Sequence, residues 1–250
     1  MILRRRESDE AAAANGESVV MERGGEMDPR FRNRREAGRR LASRLVEYAD
    51  RDDVLVAGLP RGGVPVAFEV ARVLRLPLDI FVVRKLGVPG HEEMAMGAIA
   101  SGGTRVIERS MVAQLRLPPA AIERVAAAEQ RELERREQLY RGGRPFRDVR
   151  GWTVIVVDDG LATGATMAAG VAALRQLAPS KIIVAAAVAA PETCVAMRRI
   201  ADECICVLTP EPLYGVGPWY LDFRQTSDAE VRALMEAAER TPDPPHHAHG

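Results

Sequence analysis

The stretch T-V-I-V-V-D-D-G-L-A-T-G-A-T, from Thr153 to Thr166, constrains this chain more than any other. Thr153 to Val157 is a β-branched run without polar alternation, which predicts a strand covered on both faces, as inside a parallel sheet. From Met167 the apolar residues Met167, Val171, Leu174 and Leu177 recur at helical spacing, so the segment reads strand, loop, helix. A helix that starts at the carboxyl end of a parallel strand points unpaired N–H groups and the positive end of its dipole into the crevice there. The loop is therefore expected to hold an anion. Gly160 and Gly164 permit close backbone approach, and Thr163 and Thr166 add hydroxyl groups or a cap. Asp158 and Asp159 would repel a bare phosphate but suit ribose hydroxyls, or a hydrated magnesium ion bound together with phosphate. A sugar phosphate satisfies both halves of the loop. No Gly-Lys-Ser/Thr follows the strand, which excludes a P-loop.

A second strand-loop-helix unit precedes this one. Val54 to Ala57 is a short apolar strand, Gly58 to Pro65 reads G-L-P-R-G-G-V-P, and Val66, Val70, Val73 and Leu74 follow at helical spacing. Arg61, Gly62 and Gly63 form a turn whose N–H groups and single guanidinium suit a diphosphate. Leu78 to Val83 is the next expected strand, which brings the cations Arg84 and Lys85 to the same edge of the sheet.

The run V-V-D-D-G-L-A-T-G-A-T resembles the phosphoribosyl pyrophosphate (PRPP) binding motif of the type I phosphoribosyltransferases, and the resemblance extends from about Phe31 to Arg224. It implies transfer of a 5-phosphoribosyl group from PRPP to a nitrogenous acceptor such as a nucleobase, with release of pyrophosphate and with Mg2+ as cofactor. Carried over residue by residue, Gly160, Leu161, Ala162, Thr163, Gly164, Ala165 and Thr166 hold the 5-phosphate. Asp158 and Asp159 hold the ribose hydroxyls and orient the metal-bound ligand. Arg61, Gly62, Gly63, Arg84 and Lys85 take the pyrophosphate, Lys85 being the better of the two cations, and a cis peptide is expected between Arg61 and Gly62. Gly87 to Gly103 is glycine-rich without clean periodicity and resembles the flexible loop that closes over the substrates in that family. Its run from Pro89 to Ala98 resembles a subgroup carrying P-x-x-x-E-x-A-x-G-A, which marks Glu93 as a catalytic candidate beside His91 and Glu92. The segment from Thr209 to Arg224, rich in Pro, Gly and aromatics, corresponds to the family's base-holding hood, in which Tyr214, Trp219 or Tyr220 would stack on a flat acceptor or simply pack the last helix.

The expected architecture is a doubly wound α/β domain over residues 27–240, with a mostly parallel sheet of about five strands and a small hood from terminal segments. Residues 1–26 read as a disordered leader and 241–250 as a disordered tail. Equal numbers of basic and acidic residues, 35 each, argue against a nucleic-acid partner. No apolar run reaches a membrane span and no secretory signal is visible, so the expected location is cytoplasmic. Cys194, Cys204 and Cys206 lack Cys-x-x-Cys spacing and read as reduced core thiols. Pro118 to Tyr140 predicts a long charged helix, solvent-facing or forming a homodimer. Two other functions fit the same cradle: a non-catalytic PRPP-sensing regulator, and a sugar-phosphate hydrolase or phosphorylase.

Overall fold

The computed structural model describes residues 29–240; the expected leader and tail lie outside them. Helix α1 (Arg34–Ala42) is capped by the Asn33 side chain, which accepts from the Glu36 N–H, and a single 3-10 turn at Val46–Tyr48 follows. Then come β1 (Val54–Gly58), α2 (Gly63–Leu74), β2 (Leu78–Ile80), β3 (Val83–Val88), β4 (His91–Ala100), β5 (Thr104–Ile107), α3 (Arg109–Gln114) and α4 (Pro119–Arg141). The second half runs β6 (Thr153–Asp158), α5 (Ala165–Arg175), β7 (Lys181–Val188), α6 (Pro191–Met197), β8 (Glu203–Leu208) and α7 (Asp228–Glu239).

Five strands form a parallel sheet in the order β2-β1-β6-β7-β8. Because the pleat turns alternate residues to opposite faces, Val154 and Val156 of β6 enter one core with Met167, Val171 and Leu174 of α5. Ile155 and Val157 enter the other with Leu41, Val66, Val70 and Leu74. The uninterrupted β-branched run is thus explained by two covered faces. The chain leaves β1 towards β2 on one side and β6 towards β7 on the other, so the winding reverses between β1 and β6. A crevice opens at such a switch point, outside the carboxyl ends of the strands.

Two expectations are corrected. The stretch 87–103 is not a loop: it supplies most of a separate antiparallel sheet ordered β3-β4-β5. Two of its glycines serve the ladder. Gly87 sits at a register shift between β3 and β4, and at Gly97 an added Cβ would collide with the Val106 carbonyl on the neighbouring strand. The strand expected over Leu78 to Val83 divides, with β2 staying in the parallel sheet while the chain from Val83 joins the small one. Helix α4 packs one stripe onto the rest of the chain. Its stripe of Ile122, Ala126, Leu133 and Tyr140 is buried against Leu86 and Met96 of the small sheet and Val231 and Leu234 of α7. Its charged face stays exposed, as at Glu123, Arg124, Arg131 and Glu134.

Candidate active site

The loops that follow β1 and β6 are locked together. Gly58 pairs with Val157, and the Leu59 N–H donates to the Val157 carbonyl at 2.9 Å. A Cβ at Gly63 would lie 2.6 Å from that same carbonyl, and one at Gly62 would strike the Asp159 carboxylate. Only glycine lets the turn lie this close to the aspartates. A cis peptide is present, between Pro60 and Arg61, one bond earlier than expected.

Asp158 and Asp159 end β6 in different settings. The Asp159 backbone N–H donates to Asp158 Oδ1 at 2.8 Å. Burial first, and then the neighbouring Asp159 carboxylate, hold the Asp158 carboxyl well above the usual carboxylate range. Asp159 has a cation instead: Arg34 Nε donates to its Oδ2 at 2.8 Å. Arg34 also donates through Nη1 to the Arg224 carbonyl at 2.7 Å, and its guanidinium lies 4.0 Å over the Phe223 ring. The Tyr220 hydroxyl donates to the Asp159 carbonyl at 2.6 Å.

Past the aspartates the chain opens into the cradle. The Leu161 N–H donates to the Val188 carbonyl at 2.8 Å, tying the loop to β7, and Gly164, at φ 70, provides the left-handed turn into α5. Leu161 and Gly164 face inward, whereas Ala162, Thr163, Ala165 and Thr166 are exposed around the helix start. The arrangement offers N–H groups, hydroxyls and a positive dipole end to an anion entering from solvent.

Arg61 stands at the same edge, with Nη1 3.7 Å from Asp228 at the start of α7, and Asp228 also accepts the Tyr140 hydroxyl at 2.6 Å. Arg84 and Lys85 diverge, as neighbours on a strand must. Arg84 is ion-paired, its Nε and Nη2 reaching Glu129 of α4 at 2.7 and 2.6 Å. Lys85 is exposed on the other face. Glu93 is exposed on the solvent-facing half of β4. Tyr214 is 94 % exposed and Trp219 is half-buried. Tyr220 is corrected as a stacking platform, because its ring is buried with centroids 5.2 Å from Phe31 and 4.9 Å from Phe223. It is a strut beneath Asp159.

Sequence reasoning missed Arg34, Phe223 and Asp228. Arg34 stands in an arginine-rich helix that reads as a solvated face. The Asn33 cap fixes the helix start and directs Arg34 inwards, and nothing in the spacing of the charges separates it from Arg35.

A family model described as the phosphoribosyl transferase domain matches residues 31–218, which includes both loops and the aspartate pair. The chain belongs to this family. Two Mycobacterium tuberculosis strains carry relatives, provisionally assigned as phosphoribosyl transferases, that are 43 % identical over 210 residues; the match covers 84 % of this chain and 47 % of each relative. The chain thus spans about half the length of these curated relatives. The crystal structure of the Thermus thermophilus protein TT1426 is 40 % identical, with TM-score 0.74 over 82 % of this chain and 97 % of that one. Among the described residues no helix is long and apolar enough to cross a membrane.

Proposed function

We propose that this chain transfers the 5-phosphoribosyl group of PRPP to a nitrogenous acceptor, a nucleobase being the first class to test, and releases pyrophosphate. The observation that carries the reading is the meeting, at one switch point, of an open anion cradle with an aspartate pair whose first member resists ionisation in the free protein. A cationic or hydroxyl-bearing ligand relieves that pair, and a phosphate fills the cradle. PRPP brings both.

In this reading the exposed backbone and hydroxyls from Ala162 to Thr166 bind the 5-phosphate. Asp158 and Asp159 accept hydrogen bonds from the ribose hydroxyls, and Arg34 and Tyr220 hold Asp159 in place. Arg61 and the N–H groups around Gly62 and Gly63 bind the departing diphosphate, with Lys85 as a second cation. The C1–oxygen bond to pyrophosphate breaks as the C1–nitrogen bond forms, and the acceptor nitrogen loses a proton. The two carboxylates offer hard oxygen donors but too few for an all-protein cage, which fits Mg2+ that keeps waters and takes substrate phosphate oxygens. When bound, that ion would supply charge neutralisation for the diphosphate. Preorganised charge of this kind supplies most of the rate enhancement in many enzymes.

The test is a screen of nucleobases and small amines with PRPP and Mg2+, recording pyrophosphate and the ribosylated product. Stoichiometric pyrophosphate and product with one acceptor class supports the reading. Free phosphate without pyrophosphate, or bound PRPP with no release for any acceptor, contradicts transfer.

A further inference from the structure

The thiols of Cys194 on α6 and of Cys204 and Cys206 on β8 converge beneath the cradle, all sulfurs within 4.8 Å of one another. Cys194 Sγ lies 3.0 Å from Cys206 Sγ, and Cys206 Sγ lies 3.9 Å from Cys204 Sγ. We propose that Cys194 and Cys206 are an oxidative modification site, a thiol pair that closes reversibly to a disulfide and thereby alters the loop from Ala162 to Gly164.

The pairing is selective. Cys204 and Cys206 stand two apart on one strand, where residues are held about 6.6 Å apart along the chain, at the far end of the usual Cα separation of a disulfide, and their sulfurs are the more distant pair. Cys194 and Cys206 lie on different elements, and their sulfurs need to close by about 1 Å to reach the bonded distance of roughly 2.05 Å. Cys206 is half-buried, whereas Cys194 and Cys204 are buried, so a small oxidant meets Cys206 first. The Cys204 thiol is drawn down and the Cys206 thiol pushed up, each chiefly by the hydrogen bond between them.

With hydrogen peroxide as oxidant the step balances as follows. A water molecule takes the Cys206 proton as the Cys206 sulfur attacks one peroxide oxygen. The S–O bond forms, the O–O bond breaks, and the other oxygen leaves as water with that proton. Cys194 sulfur then attacks Cys206 sulfur; the S–S bond forms, the S–O bond breaks, and the oxygen leaves as a second water with the Cys194 proton. Two thiols lose two electrons together and one peroxide gains them.

The cradle is attached to the helix that moves. The Thr193 hydroxyl, adjacent to Cys194, donates to the Ala162 carbonyl at 2.9 Å. A Cβ at Gly164 would lie 2.8 Å from Thr193 Cγ2 and 3.1 Å from Met197 Cε, so α6 and the loop are in contact. Drawing α6 towards β8 therefore pulls on the cradle. A displacement of about 1 Å at a binding loop suffices for a loss of roughly tenfold or more.

The experiment treats the full chain with hydrogen peroxide, blocks remaining thiols, and maps peptides without reduction. Amide hydrogen exchange at 160–166 and PRPP titration are then measured before oxidation, after it, and after a dithiol reductant. A Cys194–Cys206 peptide with Cys204 blocked, a changed exchange rate at 160–166, and reversal of both by reductant are expected. Cys206→Ser, at the half-buried position, and Cys194→Ala should lose the response while keeping the reduced protein's exchange pattern. Three free thiols, sulfonic acid alone, or a cross-link that leaves exchange at 160–166 unchanged would overturn the proposal. The expected tenfold loss of PRPP affinity rests on the function proposed above. Cross-linking and exchange are read without PRPP, so absence of PRPP binding in the reduced protein counts against that function and not against the thiol pair.

Discussion

The crevice between β1 and β6 and the antiparallel sheet from Val83 to Ile107 are built on opposite plans. At the crevice every strand residue from Val54 to Gly58 and from Thr153 to Val157 is buried, and the loops beyond are locked by glycines against each other's carbonyls and carboxylates. In the small sheet, β4 is exposed from His91 to Met94 and buried at Met96 and from Ala98 to Ala100, and the sheet's cations and acids largely meet solvent or α4. Groups that cannot move past one another can be preorganised for charge, whereas an arm half in solvent is placed by a few contacts at its root. Substitutions in the first region should therefore act on both stability and chemistry, and those in the second on neither or on access alone.

The largest expected effect is from Asp158→Asn combined with Asp159→Asn. Removal of a single preorganised electrostatic group costs about 10²–10³ in turnover, so steady-state turnover should fall by at least about a thousandfold. Turnover within tenfold of the parent would erase the contrast. Gly62→Ala comes next, because its Cβ displaces the Asp159 carboxylate; turnover should drop by roughly tenfold to a hundredfold, and urea denaturation should show a loss of about 1–3 kcal/mol. Arg34→Ala leaves Asp159 without its partner in a site where both side chains are at most 14 % exposed. Breaking such a pair costs about 3 kcal/mol, visible as a lower denaturation midpoint with unchanged slope.

A smaller effect sharpens the difference between the two aspartates. The Asp158 carboxyl is raised in the folded protein above its unfolded value, so between those two values the folded state binds the extra proton. Its contribution to stability is then largest at low pH and is lost as pH rises through the folded value. Asp53 and Glu203 are lowered, chiefly by Arg51 and by Lys181, and in Asp202 burial is outweighed by Arg175 and the Ile182 N–H. They run the other way, so the difference between parent and Asp158→Asn must be followed. Asp158→Asn should melt higher than the parent at neutral pH, with the gap closing as pH falls towards 4. A variant that melts lower at neutral pH would contradict the burial argument. The smallest effect is expected in the arm. Glu93→Gln should change stability by less than about 0.5 kcal/mol, and turnover by under threefold; a larger kinetic loss would show that the arm reaches the chemistry.

The same contrast explains what was legible in the sequence. Thr153–Asp158 and its loop announce themselves because β-branched residues, paired acids and a Thr-Gly-x-Thr turn are each demanded locally by the parallel strand and the anion it faces. The parallel sheet followed from two such units. His91–Ala100 was unreadable because one half is in solvent and the other beneath α4, so no single period runs through it, and its one glycine, Gly97, serves pairing rather than flexibility. Arg34, the strut role of Tyr220, and Asp228 were hidden for a different reason. Their partners are 125, 61 and 167 residues away in sequence, at Asp159 for the first two and at Arg61 for the third, and only the fold brings them together.

The most direct test of the central claim is calorimetric titration of PRPP with Mg2+ into the reduced full chain and into the Asp158→Asn, Asp159→Asn double variant. Saturable one-to-one binding to the parent, lost in the variant while its melting profile stays cooperative, is the predicted result. No binding to the folded parent, or equal binding to both, would contradict the assignment of the β1–β6 crevice as the PRPP site.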